Sequence, residues 1–540
     1  MHLSNFSLPF RPVTCFHRRL SFITLVAIVL CLSLAASIAN AQTPSPLAPI
    51  VVQAPPSGAT TEVRDRDADG KPDFSLETPR LRLMVSGATG NLEVYYLRGT
   101  NFEENLYPPV LVGTGYYFAS QTMRPFALQI NGADETTGTW TFDAPVPASE
   151  TVSISARRAE PMAGFTLVKT YRFSTHGYQF AYEVTVTNSS GKDTIVGTDA
   201  LGGLNLMYGP GLFVDPFNPS SYLGLHSDNH IDYTDIAKFR EAATKERFQG
   251  VGLKTTYFCM LMDAGIPVNL IAQQFDVKPI ATKDAKKAAH IGQVVGLSVP
   301  PFTLKTGESR TLPFTMYFGP KLLDELNLIH RGNVTDYGFL STLLLRILQF
   351  FYGLFPNYGL SIIFLTIAVR IILHPLTVKQ TKSMAQMQKI QPMLQDLKDR
   401  HRDNPQKFNE EVLKLYQKYN VNPLGGCLPL LLQLPVLIAL YNTINIAVEL
   451  RKVQFLWLTD LSKADPYIIL PLAITALMYA QQGQMNDPQQ QQMMAFMPMF
   501  MFIITWTLPS GLLLYWFTSS IIGVVQQLQA NKLMAKIKEE

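Results

Sequence analysis

Cysteine is scarce in this chain: Cys15, Cys31, Cys259 and Cys427 are the only four in 540 residues. Only Cys259 falls in the large polar region of the first half, so that region holds no intrachain disulfide, and no CxxC or His/Cys cluster has zinc spacing. Charge is also thin. Charged residues make up 16% of the chain and the formal net charge is +4, which gives no compositional support for nucleic-acid recognition. There is no nucleophile elbow, no phosphate loop and no HExxH, so the chain reads as a non-enzyme that uses no nucleotide, cofactor or catalytic metal. Acidic residues are missing altogether from the apolar runs of the second half.

What is present organises around Tyr358–Leu376, an almost wholly apolar stretch of about the 20 residues that cross a bilayer. It carries one full charge, Arg370. A charge near the bilayer centre costs roughly 2.5–3.5 kcal/mol on insertion scales, so such a residue marks a functional site by default. With the span centred near Ile367, Arg370 sits about 4.5 Å off centre, at roughly 1.5 Å per residue. Snorkelling to the interface would leave much of the half-thickness to cross. No other run offers a carboxylate, so the alternatives are a water-filled cavity or a partner that arrives from outside. Thr366 shares the helix face of Arg370, four residues earlier.

At the start of the chain, residues 1–19 contain Arg11, Arg18 and Arg19 and no acid. The apolar run Leu20–Ala36 and the small-x-small Ala39-Asn40-Ala41 follow. This is an export signal over 1–41, either cleaved or kept as a membrane anchor, and both outcomes place the next region outside the cytoplasm. Residues 42–75 read as a linker, proline-rich at its start. Within it, Asp65 to Asp73 alternates carboxylates before a glycine. That is either a solvated acidic turn or a calcium loop, and Leu76 stands where an EF-hand would want its twelfth-position acid. From 76 to 330 the pattern is largely period two, with Leu81, Leu83 and Val85 on one face, and likewise Phe180, Tyr182, Val184 and Val186. Turn clusters separate the runs, which predicts an antiparallel β-sandwich. His226 and His230 are expected in a surface loop.

Residues 338–354 place Leu340, Leu343, Leu344, Ile347, Leu348 and Phe351 at helical spacing. Such a helix either lies flat on a membrane or packs as a short buried helix. After the 358–376 span, residues 379–420 form a basic helical hairpin. Its two apolar stripes, Met384 to Leu397 and Phe408 to Tyr419, pack on each other or present a methionine-rich face to a partner. Excess Lys/Arg puts this hairpin in the cytoplasm. Four further spans are expected at 428–448, 467–482, 493–508 and 511–528, then a basic tail over 529–540. Five spans that start outside end inside, where that tail belongs. The last three runs are short: either flanking Gln, Ser and Thr complete them, or the protein thins the bilayer.

The His374-Pro-Leu-Thr377 end of the Arg370 span, the Met384–Pro392 segment, Asn422-Pro-Leu-Gly-Gly-Cys427 with its continuation to Pro435, Phe496-Met-Pro498, and Pro509-Ser-Gly-Leu-Leu-Leu-Tyr515 together resemble the YidC/Oxa/Alb family of membrane protein insertases over residues 336–530. The 76–320 region is similar, more loosely, to the periplasmic supersandwich of its Gram-negative members. The resemblance implies a polytopic α-helical inner-membrane protein: a five-span core, an N-terminal signal or anchor span, a large all-β periplasmic sandwich and a cytoplasmic C-terminus. It implies a hydrophilic groove, closed on the outside, in which Arg370 holds polar or acidic parts of an incoming chain. Thr366 and Trp516 match substrate-contacting positions, Trp516 standing where relatives often carry tyrosine; Gln433 is added here as a polar residue lining the groove. The implied partners are nascent membrane proteins, the Sec translocon, the ribosome and the lipid bilayer. Two rival classes remain. A transporter or channel would show carboxylates in its spans or an inverted repeat. An envelope scaffold would act through the outer domain and fail when residues 76–320 are deleted.

Overall fold

The computed structural model describes residues 59–539 apart from internal stretches at 67–68, 99–103, 108–125, 136–137, 149, 198–202, 210–220, 228, 278–289, 402–403, 420–427 and 483–487. The expected signal segment and Asn422–Cys427 lie outside the described residues. The chain divides into two compact units. One comprises the described part of Pro49–Asp336 with Ile446–Arg451; the other comprises that of Tyr337–Asn445 and Lys452–Glu540.

The first unit is built of antiparallel strands. Strands β1 (Thr60–Arg64), β2 (Asp73–Glu77), β3 (Leu81–Val85), β4 (Leu92–Leu97) and β5 (Glu104–Tyr107) form one sheet in chain order. Strands β1 and β2 thus occupy part of the stretch expected to be linker. Arg66 N and Gly87 N, the latter from the turn after β3, both donate to the buried Asp73 carboxylate, at 3.0 and 2.9 Å, which turns that acid into a structural clasp. A larger, 14-stranded sheet has at its centre the long strands Phe258–Val277, Ser309–Pro320, Gln179–Asn188 and Phe165–Ser174. Their alternating burial is what the period-two sequence demands. Register sets Tyr171 opposite Tyr182 and Leu167 opposite Val186. Each such side chain, fully withdrawn from water, contributes roughly 1.5–3 kcal/mol. One helix, α1 (Ile236–Lys245), is capped by Asp235, whose side chain accepts from Ala237 N and Lys238 N, and buries Phe239. A second, α2 (Leu323–Leu328), follows the last strand.

The turn between β3 and β4 fits tightly against the larger sheet. Gly90 has φ +62°, and a Cβ there would lie 2.6 Å from the Trp140 ring. Its carbonyl accepts from Tyr171 Oη at 2.8 Å. Gly90→Ala combines left-handed strain with a clash, so we expect it to destabilise the β unit by more than about 1 kcal/mol, read as a lower denaturant midpoint in limited proteolysis of the full chain.

The second unit is helical. It contains α3 (Phe339–Leu354), α4 (Tyr358–Arg400), α5 (Pro405–Lys418), α6 (Leu428–Ile446), α7 (Ile469–Gln482), α8 (Pro488–Thr507) and α9 (Ser510–Glu539). Asn357 caps α4, its side chain accepting from Leu360 N, and Asn404 caps α5 ahead of Pro405. Helix α4 does not stop at Leu376. It runs through Pro375 and Pro392 to Arg400, so the apolar span and the first arm of the basic hairpin are one 43-residue rod. The sequence divides these segments because apolar residues give way to Lys379, Lys382 and Lys389, a change of surface and not of backbone. Within the described residues, Tyr358–Val378 alone is long and apolar enough to cross a membrane by itself; Gln433–Ile446, Ile469–Tyr479, Met497–Thr507 and Ser510–Gln526 are shorter apolar segments.

Candidate functional site

Polar side chains from three apolar helices converge at one level of the helical unit. Arg370 on α4 is half-buried, and its Nε donates to Ser519 Oγ of α9 at 2.8 Å. Gln433 of α6 donates from Nε2 to the same Ser519 Oγ at 3.3 Å and to Tyr515 Oη at 3.2 Å. One turn further along α4, His374 Nδ1 lies 3.3 Å from Gln526 Nε2 of α9. Among the described residues no carboxylate lies within ion-pairing distance of Arg370.

The arrangement follows from helical period. Thr366, Arg370 and His374 recur every four residues on α4, and Tyr515, Ser519 and Gly523 do so on α9, so each set shares one face. The contacts 370–519 and 374–526 advance together, so α4 and α9 run parallel. Helix α6 runs against them, since Gln433 meets Ser519 while Ile444 meets Gly511.

The end of the bundle beyond Arg370 is stoppered by the loop Lys452–Ile468. Leu458 and Leu461 are buried in it. The loop supplies carbonyl acceptors to the unsatisfied N-terminal amides of α9: Ser510 N donates to Lys463 O at 2.6 Å and Gly511 N to Leu461 O at 2.9 Å. Asp465 does the same for α7, accepting from Tyr467 N and Leu470 N. The polar cluster therefore lies inward of an end that this loop caps.

The four residues expected at the site divide. Arg370 and Gln433 meet through Ser519. Trp516 is half-buried on α9 and takes no part in this hydrogen-bonded group among the described residues. Thr366 is fully buried, and its hydroxyl donates to Ile362 O of its own helix at 2.7 Å, so it is held out of the group. The structure adds Tyr515, Ser519, His374 and Gln526. The available signals were Tyr515, Ser519 and Gln526 at helical spacings of four and seven along the apolar start of α9, and His374 four residues after Arg370 on α4. An open apolar recess of about 530 Å³ between the start of α3 and α6, lined by Phe339, Leu340, Leu434, Ile438 and Ala439, holds none of these groups.

In the β unit, His230, Asp232 and Asp336 come close enough to suggest a metal. His230 is not in a surface loop as expected: it opens a strand and is mostly buried beside both aspartates. Lys254 Nζ, however, donates to both Asp336 oxygens at 2.8 Å and also to Asp232, and Lys321 Nζ lies 3.6 Å from Asp336. The two ammonium groups already supply the charge a cation would bring. Cys259 is buried nearby, and burial pushes its thiol up to about 12, which makes it inert as a nucleophile.

One apolar helix of bilayer length, a half-buried polar cluster among short apolar helices and an antiparallel β unit are the features of a membrane-associated protein with a large β domain. Two family models cover most of the chain: one described as the YidC periplasmic domain matches residues 113–349, and one described as the 60Kd inner membrane protein matches residues 350–538. The chain is 34% identical over 384 residues to the membrane protein insertase YidC of Geobacter sulfurreducens, covering 68% of this chain and 69% of that protein. Against the membrane protein insertase YidC of Haemophilus influenzae it is 43% identical over 244 residues, 43% of this chain and 45% of the relative. The crystal structure described as active YidC insertase with the first transmembrane domain resolved aligns with 87% of this chain and 94% of its own, at 19% identity and a TM-score of 0.37. The chain belongs to the YidC family of membrane protein insertases, inner-membrane proteins with a periplasmic domain.

Proposed function

We propose that this chain inserts nascent membrane proteins through the cleft around Arg370, alone or with the Sec translocon, and that the basic hairpin 379–420 receives the client, with the ribosome at hand. The observation that carries this reading is a half-buried arginine with its Nε tied to a serine and no carboxylate partner among the described residues. An acid or polar segment of a client entering the cleft meets a positive charge in a low-dielectric setting, where a charge-assisted, two-pronged hydrogen bond is strong. That offsets part of the cost of carrying the polar segment into hydrocarbon. No covalent bond is made or broken.

In this reading α4, α6, α7, α8 and α9 each span the membrane, the β unit is the periplasmic supersandwich and the C-terminus is cytoplasmic. The parallel course of α4 and α9, with α6 opposed, is what five alternating spans require. The Lys452–Ile468 plug is then the outer seal, and the cleft opens to the cytoplasm. The short apolar segments of α7 and α8 would thin the bilayer beside it. Arg370, Gln433 and Trp516 line the client's path, with Thr366 packed one turn outward.

Photo-crosslinkers placed singly at 370, 433 and 516 should capture a stalled nascent membrane protein, while crosslinkers at Ile503 on the outer face of α8 and Ile195 in the β unit should not. Adducts of equal yield from all five positions, or none from 433 and 516, would remove the cleft from the client's route.

A further inference from the structure

The orientation of the Arg370 head is set from α9. Its Nε is held by Ser519. One turn on, Gly523 lies directly beneath the guanidinium: a Cβ built there would be 3.6 Å from NH2, 3.9 Å from NH1 and 4.0 Å from Cζ. The two terminal nitrogens therefore rest over a bare stretch of helix, with no hydrogen-bond acceptor among the described residues. Ser519 is in turn shared with Gln433, so the hydroxyl is held from two sides.

We propose that Ser519 and Gly523 are positioning residues that form a seat for Arg370. Ser519 consumes the one donor that cannot take part in end-on pairing. Gly523 removes the side chain that would otherwise cover or neutralise the fork. What is left, NH1 and NH2 side by side, matches the two oxygens of a carboxylate. The seat thus selects, among polar client segments, those bearing aspartate, glutamate or a chain-terminal carboxylate, and it does so by geometry as well as by charge. This deepens the cleft reading and rests on it.

The test is to give the guanidinium a resident counter-ion. Gly523→Asp puts a carboxylate within reach of NH1 and NH2, while Gly523→Asn puts an uncharged group of the same shape there. Each full-length variant is reconstituted in lipid vesicles. Insertion is measured for a single-span client with an acidic translocated segment and for the same client with those acids changed to Asn and Gln. The readout is the ratio of the two insertion yields at equal protein abundance. Gly523→Asp should lower that ratio about tenfold, to the level of Arg370→Ala, with the neutral client changed less than about twofold. Gly523→Asn should keep the ratio close to that of the unaltered protein.

Equal behaviour of the Asp and Asn variants, or an equal loss for both clients, would overturn the seat. If Gly523→Asp does not accumulate, Ser519→Ala decides. It should lower the ratio, and Ser519→Thr, which keeps the hydroxyl, should restore it; an unchanged ratio in Ser519→Ala overturns the proposal. A ratio unaffected by Arg370→Ala would instead remove the cleft reading itself. A ratio that falls with Arg370→Ala but not with either positioning variant would leave the cleft standing and remove only the seat.

Discussion

Arg370→Ala should leave the protein folded and normally abundant yet lower insertion of a client with an acidic translocated segment by about tenfold, equivalent to about 1.4 kcal/mol. The fold is expected to survive because Arg370 makes one hydrogen bond to a hydroxyl and no ion pair among the described residues. Removing it relieves the bundle of a partly buried charge and leaves Ser519 still bonded by Gln433. On the proposed reading the client loses more: an acid entering there would meet uncharged donors such as Gln433 and Tyr515 in place of the guanidinium. Arg370→Lys should recover part of the activity, since an ammonium restores the charge but not the planar fork. Insertion yields for the acidic client and its neutralised form, compared at matched abundance in vesicles, check this. Equal yields for the two clients in the unaltered protein would show that the charge is not used.

The largest stability effect is expected in the β unit. Lys169 and Glu135 form a wholly buried ion pair, with Nζ 2.5 Å from Oε1. Lys169 also donates to Asn91 Oδ1 at 2.5 Å and stands 4.7 Å from the Trp140 ring centroid, while Glu135 Oε2 accepts from Leu128 N and Asn91 Nδ2. Burial pulls the lysine's pKa below its ordinary value, with the carboxylate opposing. Lys169→Met would strand the Glu135 carboxylate without its cation, which typically costs about 3–5 kcal/mol. That is a large share of the roughly 5–15 kcal/mol by which domains are stable. Lys169→Met with Glu135→Gln should regain more than half of the loss, because the amide oxygen still serves Leu128 N and no charge is stranded. Proteolysis of the β unit across a urea series, in the full chain, reads both. An unchanged midpoint in Lys169→Met would mean that the pair is not buried as described. Asn91 sits in the turn between β3 and β4, so the network ties the five-stranded sheet to the larger one; its loss should loosen the two sheets together.

Much of this was legible without coordinates. The alternation of Phe180, Tyr182, Val184 and Val186 reads as half-buried strand, which the structure has over Gln179–Asn188, and Arg370 stands out as the one full charge in its apolar run. The boundaries were less legible. Asp65–Asp73 looked like an acidic turn because nothing local says that Asp73 will be clasped by Gly87 N from a distant turn. The apolar run marks the end of a span at Leu376, yet α4 continues to Arg400, since backbone helix does not need an apolar surface. His230 looked exposed because its neighbours are polar, and its neighbours in space, Asp232 and Asp336, include one more than a hundred residues away.

The chain's own order of residues determined the classes of structure, the apolar runs, the arginine within one of them and the family. Those follow from periodicity, hydropathy and motif spacing, which are properties of neighbours along the backbone. Only the folded molecule decided what the arginine does with its donors. Ser519, Gly523 and Gln433 lie on other helices, and it is their approach across the bundle, through packing between distant segments, that leaves one edge of the guanidinium held and the other open.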